Sequence, residues 1–223
     1  MLFKRSFVCA GCRRRFTEEN VRGYAKNTCI CTECYNDISK TSPMSTFEGL
    51  KEISFVTAPF LYRGKFREIY SKYKFRGNVN LGKVLSEFFR EYFRDFEDLR
   101  EYDYIVPVPL SKKRMIERGF NQVDIFAEVL SECTDVPVFK CVTRIKNTVK
   151  QSDSRAIERF NNMRSAFQCE MKFNGERFIV VDDIYTTGNT TYSMARELLR
   201  AGAGEVCVAV LAYNYTKRRE FII

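Results

Sequence analysis

Histidine is absent from the 223 residues. That gap removes every mechanism built on imidazole, including Ser-His-Asp triads, Cys-His proteases and HExxH zinc hydrolases. Tryptophan is absent too, although twenty Phe and twelve Tyr are present. No apolar run approaches the roughly 18–20 residues that span a bilayer; the longest extends from Val206 to Tyr213. Met1-Leu2-Phe3-Lys4-Arg5 carries charge with no long apolar stretch behind it, so no signal peptide is expected. The expectation is a soluble, cytoplasmic protein with no transmembrane segment, peripheral membrane association staying open. Hydrophobic residues at 45% and aromatics at 14% suffice for a packed core and exclude a disordered basic tail.

Acidic residues are the scarcer charged class. Thirty-seven Lys and Arg against twenty-eight Asp and Glu leave a net charge of +9. The excess is concentrated: eight basic against four acidic residues from Lys4 to Lys40, eight against two from Arg63 to Arg90, and seven against two from Lys140 to Arg164. Three separate clusters point to an anionic partner, a polyphosphate substrate or a nucleic acid.

The pattern divides the chain at a Ser/Thr/Pro-containing stretch, Ser39 to Thr46. Residues 1–43 read as a small Cys-rich domain and residues 44–100 as a linker and hood-like segment. Within the latter, Ile53 to Tyr62 suggests a hairpin. Leu81, Val84, Leu85, Phe88, Phe89, Tyr92, Phe93 and Phe96 recur at helical spacing. Residues 101–223 alternate strand and helix: Tyr104-Ile105-Val106, a helix over Asn121 to Ser131, strands at Val136 to Phe139 and Phe178 to Val181, a helix from Thr190 to Ala201, and a strand from Val206 to Leu211. That alternation implies βαβ units and a parallel sheet.

Five of the nine cysteines lie between residues 9 and 34. Cys9-Ala10-Gly11-Cys12 and Cys31-Thr32-Glu33-Cys34 supply four thiols, the ligand count of a structural zinc. With four Cys ligands no coordination position is left for catalysis. Cys29 lacks the CxxC turn and reads as a buried thiol. A substitution such as Cys12→Ser is expected to loosen residues 1–40 and spare the rest. Elsewhere, Gly77 to Val84 matches GxxxxGK but lacks the Ser or Thr that would hold Mg²⁺, and no buried strand precedes it. It reads as the turn that starts the Phe-rich helix.

The most informative stretch is Phe178-Ile179-Val180-Val181-Asp182-Asp183-Ile184-Tyr185-Thr186-Thr187-Gly188-Asn189-Thr190. A buried strand ends in two carboxylates, and a hydroxyl-rich loop opens a helix. In parallel sheets ligands bind at the carboxyl ends of the strands. Thr186, Thr187 and Thr190 offer hydroxyl donors, Gly188 admits close backbone approach, and the helix N-terminus attracts an anion. Carboxylates beside such a phosphate cradle suit a vicinal diol. Together they describe a ribose 5-phosphate.

This segment resembles the signature of type I phosphoribosyltransferases. With Val106-Pro107-Val108-Pro109-Leu110, Arg118-Gly119-Phe120-Asn121-Gln122, Tyr73-Lys74-Phe75-Arg76-Gly77, Arg144, Thr148, Gln151, Arg155, Asn161 and the Cys-rich N-terminus, the chain resembles the competence-related ComF proteins along essentially its whole length. The resemblance implies a type I phosphoribosyltransferase sheet flanked by helices, with a four-Cys zinc finger ahead of it. It further implies 5-phosphoribosyl 1-diphosphate as ligand, Mg²⁺ arriving with it, and a role in DNA uptake beside an ATP-driven translocase. Asp182 and Asp183 would meet the ribose hydroxyls, Thr186, Thr187, Gly188, Asn189 and Thr190 would hold the 5-phosphate, and Ile184 and Tyr185 would belong to the same substrate-binding loop. Val108, Pro109 and Leu110 would receive pyrophosphate on a strained or cis peptide, with Arg114 and Arg118 beside them. Residues 144–155, carrying Arg155, would close over the site. If a base is needed, Asp183 is nearest. No glutamine amidotransferase is expected, because Cys9 belongs to a knuckle and these residues leave no room for a glutaminase domain. The acceptor is not legible. Lys72, Lys74 and Arg76, interleaved with Tyr70, Tyr73 and Phe75, suit single-stranded DNA; helical packing against the core explains them equally well. A noncatalytic phosphoribosyl- or DNA-binding adaptor is the alternative to an enzyme.

Overall fold

The computed structural model describes residues 5–76, 78–145 and 166–214. In chain order the first strands are β1 (Phe7–Cys9), β2 (Arg15–Phe16), β3 (Val21–Ala25) and β4 (Thr28–Cys31), followed by helix α1 (Thr32–Asn36). They form one small sheet, ordered β2-β1-β4-β3. Then come β5 (Thr46–Phe47), β6 (Val56–Thr57), β7 (Phe60–Leu61), α2 (Gly64–Arg76) and α3 (Val79–Phe93). Next are β8 (Tyr104–Pro107), α4 (Lys112–Arg118), α5 (Asp124–Thr134), β9 (Val142–Arg144) and β10 (Phe167–Cys169). The described chain closes with β11 (Arg177–Tyr185), α6 (Asn189–Arg200) and β12 (Glu205–Tyr213).

The main sheet is six-stranded, ordered β5-β6-β12-β11-β8, with β7 also paired to β12. Strands β8, β11, β12, β6 and β7 run parallel, and β5 joins antiparallel. β11 and β12 are nearly continuous apolar runs, as strands covered on both faces must be. Two expectations are corrected. Ile53 to Tyr62 is not a hairpin, since β6 and β7 are two-residue strands that both add parallel to β12. Val136 to Phe139 is not a full strand; it joins the sheet through a single Val138–Ile105 bridge, Pro137 having no N–H to give.

Hydrophobic burial falls on the two sides of this sheet. One side gathers Phe178, Val180, Val208, Val210, Met194, Ala195 and Leu198 under α6. The other gathers Ile179, Val181, Cys207, Ala209 and Leu211 with α2, α3 and α5. Phe7, Cys29 and Ile30 of the small sheet and Cys34 of α1 belong to this same second cluster. The Cys-rich segment is therefore seated on the large core, through contacts such as Tyr35 on Phe88, with centroids 4.6 Å apart. Loosening residues 1–40 would therefore also uncover part of the surface that α3 buries.

Helix α3 starts as read. Asn78 caps it, its side chain accepting from the Leu81 amide at 3.0 Å. Gly82 lies against α2, where a Cβ would come within 2.7 Å of Tyr73. The glycine of the false phosphate loop is thus a helix-packing residue. Among the described residues no helix is long and apolar enough to cross a membrane.

Candidate functional site

Asp182 and Asp183 sit at the carboxyl end of β11, in the middle of the parallel sheet. The register places Val181 beside Pro107 of β8, and the Val108 amide continues the pairing to Val181 O at 2.9 Å. The β8 loop and the carboxylate pair thereby share one sheet edge. Asn121 secures the loop: its Nδ2 donates to Val108 O at 3.1 Å and to Asp124 Oδ1 at 2.9 Å. No described peptide bond is cis, and none of Val108, Pro109 or Leu110 has positive φ, which corrects the expectation of a strained or cis peptide.

The two carboxylates have different surroundings. Asp183 Oδ1 accepts from the Ile184 amide at 2.7 Å. Asp183 Oδ2 accepts from the Tyr70 hydroxyl and lies 3.0 Å from Lys74 Nζ. Asp182 Oδ1 accepts from the Asp183 amide at 2.7 Å. Burial, and then the charge of Asp183, push the Asp182 carboxyl up to about 8 against the opposing pull of the Asp183 amide, Lys74 and Arg144. The burial that raises the carboxyl acts on a residue that is itself only half-buried. Burial and the neighbouring Asp183 thus favour the protonated form of the Asp182 carboxyl.

Beyond Tyr185 the chain turns into α6 at Gly188, whose φ is +77. A Cβ there would strike the Tyr185 hydroxyl and stand 2.6 Å from its ring carbon, so only glycine fits. The Thr191 hydroxyl and the Tyr192 amide both donate to Gly188 O, at 3.1 and 2.8 Å. Thr186, Thr187 and Asn189 are exposed and Thr190 is half-buried. Together with Asp182, Ile184, Tyr185, Gly188 and Thr191, residues Thr186, Asn189 and Thr190 line a small niche of about 20 Å³. The first turn of α6 contains no acidic residue. An anion placed there meets the helix N-terminus and the threonine hydroxyls, with the Asp182 carboxyl at the rim of the niche.

The remaining expected site residues are less gathered. Arg114 is exposed on α4, a helix with no buried residue. Arg118 donates to Gln122 Oε1 at 2.8 Å and is held there. Arg155 lies outside the described residues. Arg144, quoted above only as part of the resemblance, is electrostatically coupled to both Asp182 and Arg114, and burial lowers its pKa. Lys72 and Lys74 do not form an open patch: Lys74 pairs with Asp183, while Lys72 donates to Ala10 O and to Gly11 O at 3.2 Å. Tyr70 and Lys74 escaped the reading as partners of Asp183, although their four-residue spacing puts them on one helical face.

The sulfurs of Cys9, Cys12, Cys31 and Cys34 all lie within 4.8 Å of one another. Tetrahedral zinc with bonds of about 2.3 Å spaces its sulfurs about 3.8 Å apart, and Cys12 Sγ stands 3.9 Å from Cys31 Sγ. The amides of Gly11 and Cys31 donate to Cys9 Sγ at 3.3 and 3.4 Å. Gly11 is tightly fitted, since a Cβ would fall 2.5 Å from Cys34 Sγ. This donor set fits a structural metal such as zinc. Cys29 stays outside the four; its thiol hydrogen bond is the largest influence holding Cys9 down at about 3, with backbone amides adding to it. Cys29 itself is pushed up by that bond and by burial.

No protein-family model matches the sequence. Competence protein ComFC of Bacillus subtilis is 30% identical over 204 residues, covering 87% of this chain and 79% of that protein. The chain belongs to the ComFC family. Competence protein F of Haemophilus influenzae is 31% identical to this ComFC-family chain over 148 residues, 63% of the chain and 65% of that protein. DNA utilization protein YhgH of Escherichia coli is 39% identical over 107 residues, 48% of the chain and 47% of that protein, about half of each. Among solved structures, a purine phosphoribosyltransferase from Pyrococcus horikoshii aligns over 59% of this chain and 73% of its own, at 20% identity and TM-score 0.35. A glutamine phosphoribosylpyrophosphate amidotransferase from Bacillus subtilis aligns over 59% of this chain and 27% of its own, at 19% identity and TM-score 0.42.

Proposed function

We propose that this ComFC-family protein binds 5-phosphoribosyl 1-diphosphate at the end of β11 and acts in DNA uptake. The observation that carries the reading is one loop, Asp182 to Thr190, presenting a carboxylate pair and an anion niche side by side. The niche takes the 5-phosphate through Thr186, Thr190 and the α6 amides, with Thr187 on the adjoining turn of the loop. Asp182 and Asp183 accept hydrogen bonds from the ribose hydroxyls. The Val108 to Leu110 loop, braced by Asn121, faces the diphosphate, with Arg114 and Arg144 supplying positive charge.

The carboxylate pair does not suit a resident Mg²⁺, because Lys74 already occupies Asp183 Oδ2. Mg²⁺ belongs to the substrate in this proposal, as the salt of the diphosphate. In a transfer reaction the bond from the anomeric carbon to the diphosphate breaks as an acceptor nitrogen attacks. The arginines then stabilise the charge that develops on the leaving group. A neutral nitrogen acceptor needs little base assistance, so the lack of histidine is no obstacle. The names of the relatives, competence and DNA utilization, support placing this chemistry or binding in DNA uptake; single-stranded DNA and a translocase are the partners of this proposal. A DNA contact through Lys72 or Lys74 would have to give up their internal bonds.

Calorimetry with 5-phosphoribosyl 1-diphosphate and Mg²⁺ tests the reading. Binding that Asp182→Ala with Asp183→Ala abolishes supports it, and no binding by the unaltered protein overturns it. Pyrophosphate release in the presence of acceptors separates an enzyme from an adaptor that only binds.

A further inference from the structure

Helix α2 touches the four-cysteine cluster with one side and the carboxylate pair with the other. Tyr70 and Lys74, four residues apart, share a face. Both bond to Asp183 Oδ2, and Lys74 Nζ also lies 5.7 Å from the centroid of the Tyr70 ring. Lys72 is two residues from each and so projects to the opposite side. Its Nζ donates to Ala10 O and to Gly11 O at 3.2 Å, the two carbonyls between Cys9 and Cys12. The Gly11 amide in turn donates to Cys9 Sγ. An unbroken path therefore runs from a thiol of the cluster through the Gly11 peptide, Lys72 and one turn of helix to Asp183, and onward from Asp183 Oδ1 to the Ile184 amide at the mouth of the niche.

The helix has little room to absorb a displacement at either end. Phe66, Tyr70 and Tyr73 are each at most 1% exposed. Phe66 stacks on Tyr70, Tyr70 meets Tyr73 edge-on at 5.9 Å, and Tyr73 donates its hydroxyl to Gln122 O at 3.1 Å. Close-packed aromatic contacts of this kind move as a unit or not at all. The Lys74–Asp183 pair is shielded, its side chains retaining 27% and 17% exposure, so its geometry acts on Asp183 more strongly than an open surface pair would.

We propose that α2 is a lever making diol binding by Asp183 depend on the metal: with the knuckle closed around zinc, Lys72 seats the helix so that Tyr70 and Lys74 orient Asp183. The proposal deepens the sugar-phosphate reading and rests on it. Lys72 is here a positioning residue that touches no substrate.

The test compares the zinc-loaded full chain with Lys72→Met and Lys72→Arg, reading zinc content by elemental analysis, affinity for 5-phosphoribosyl 1-diphosphate with Mg²⁺ by calorimetry, and hydrogen exchange at the Ile184 amide. Lys72→Met is expected to keep one zinc per chain, weaken the affinity about five- to tenfold, as the loss of one or two hydrogen bonds gives, and speed Ile184 exchange. Lys72→Arg, which retains the charge and the donors, should recover most of the affinity. Chelating zinc from the unaltered protein should speed the same amide. Lys72→Met with full zinc, affinity within twofold of the parent and unchanged exchange overturns the lever. If Lys72→Met fails to fold, Lys72→Gln is read in the same way. If the unaltered protein binds no sugar phosphate, the functional reading fails, and the exchange comparison still decides whether the lever exists.

Discussion

Replacing Asp182 by Asn tests the electrostatics of the site without any ligand. The carboxyl is raised from the ordinary value near 4 to about 8, by burial first and by Asp183 second. Between those values the unfolded chain has released the proton and the folded chain has kept it. Folding is therefore favoured at the low end of the window, and stability falls as pH rises through it toward 8. The limiting slope is about 1.4 kcal/mol per pH unit. Because the residue is half-buried and water screens part of the effect, we expect a loss of about 1–2 kcal/mol from pH 5 to pH 7. Asn preserves the acceptor for the Asp183 amide and cannot ionise. Asp182→Asn should gain on the parent by that amount between pH 5 and pH 7, the two converging only below about pH 4, where the unfolded carboxyl is protonated as well. Urea unfolding of both proteins at pH 5, 6, 7 and 8 reads the difference directly, and titrating groups not coupled to Asp182 cancel. A difference that stays flat within about 0.3 kcal/mol across the series would mean that Asp182 is not held protonated.

Three further outcomes follow from the same geometry. Gly188→Ala forces a left-handed backbone on a β-carbon and drives it into Tyr185; a loss of about 2–4 kcal/mol is expected in thermal unfolding, and a change below 0.5 kcal/mol would refute the fit. Glu197→Ala strips the Cys169 amide of its acceptor, 3.0 Å away, and Arg200 of its partner; the buried amide should dominate, at about 1–3 kcal/mol by urea unfolding. Protein purified without chelator should contain one zinc per chain. Its removal should lower the midpoint of the whole protein, because Gly23 of the small sheet lies against Val84 and Phe88 of α3; elemental analysis finding no zinc would overturn the assignment.

What the sequence disclosed follows the range over which each signal acts. The cysteine cluster and the Asp182 to Thr190 loop are local patterns, a fixed spacing and a strand running into a glycine-turned helix, and both occur in the structure as read. The Phe-rich helix was legible for the same reason. The stretch from Ile53 to Tyr62 was not, because β6 and β7 take their partners from β12, far along the chain, and two-residue strands leave no periodicity to detect. Lys72 and Lys74 read equally as a nucleic-acid patch and as part of a core-packed helix, because interleaved aromatics and cations look alike on a surface and in a support. The i,i+4 relation of Tyr70 and Lys74 set a shared face but could not reveal that Asp183 lies opposite it.

Strand β12 bears on how the molecule is made. Ser54 bonds to Val206, 152 residues away, and Val56 and Phe60 pair with Val208 and Ala212. During synthesis the segment around Val56 leaves the ribosome long before its partner exists. Its apolar residues, among them Val56 and Phe60, both at most 2% exposed when folded, must wait uncovered. Parallel pairing over such a separation folds slowly and exposes the waiting chain to aggregation. Truncating the chain before Glu205 should therefore give an insoluble product, and holding chaperones should matter most for the nascent chain before β12 has been made.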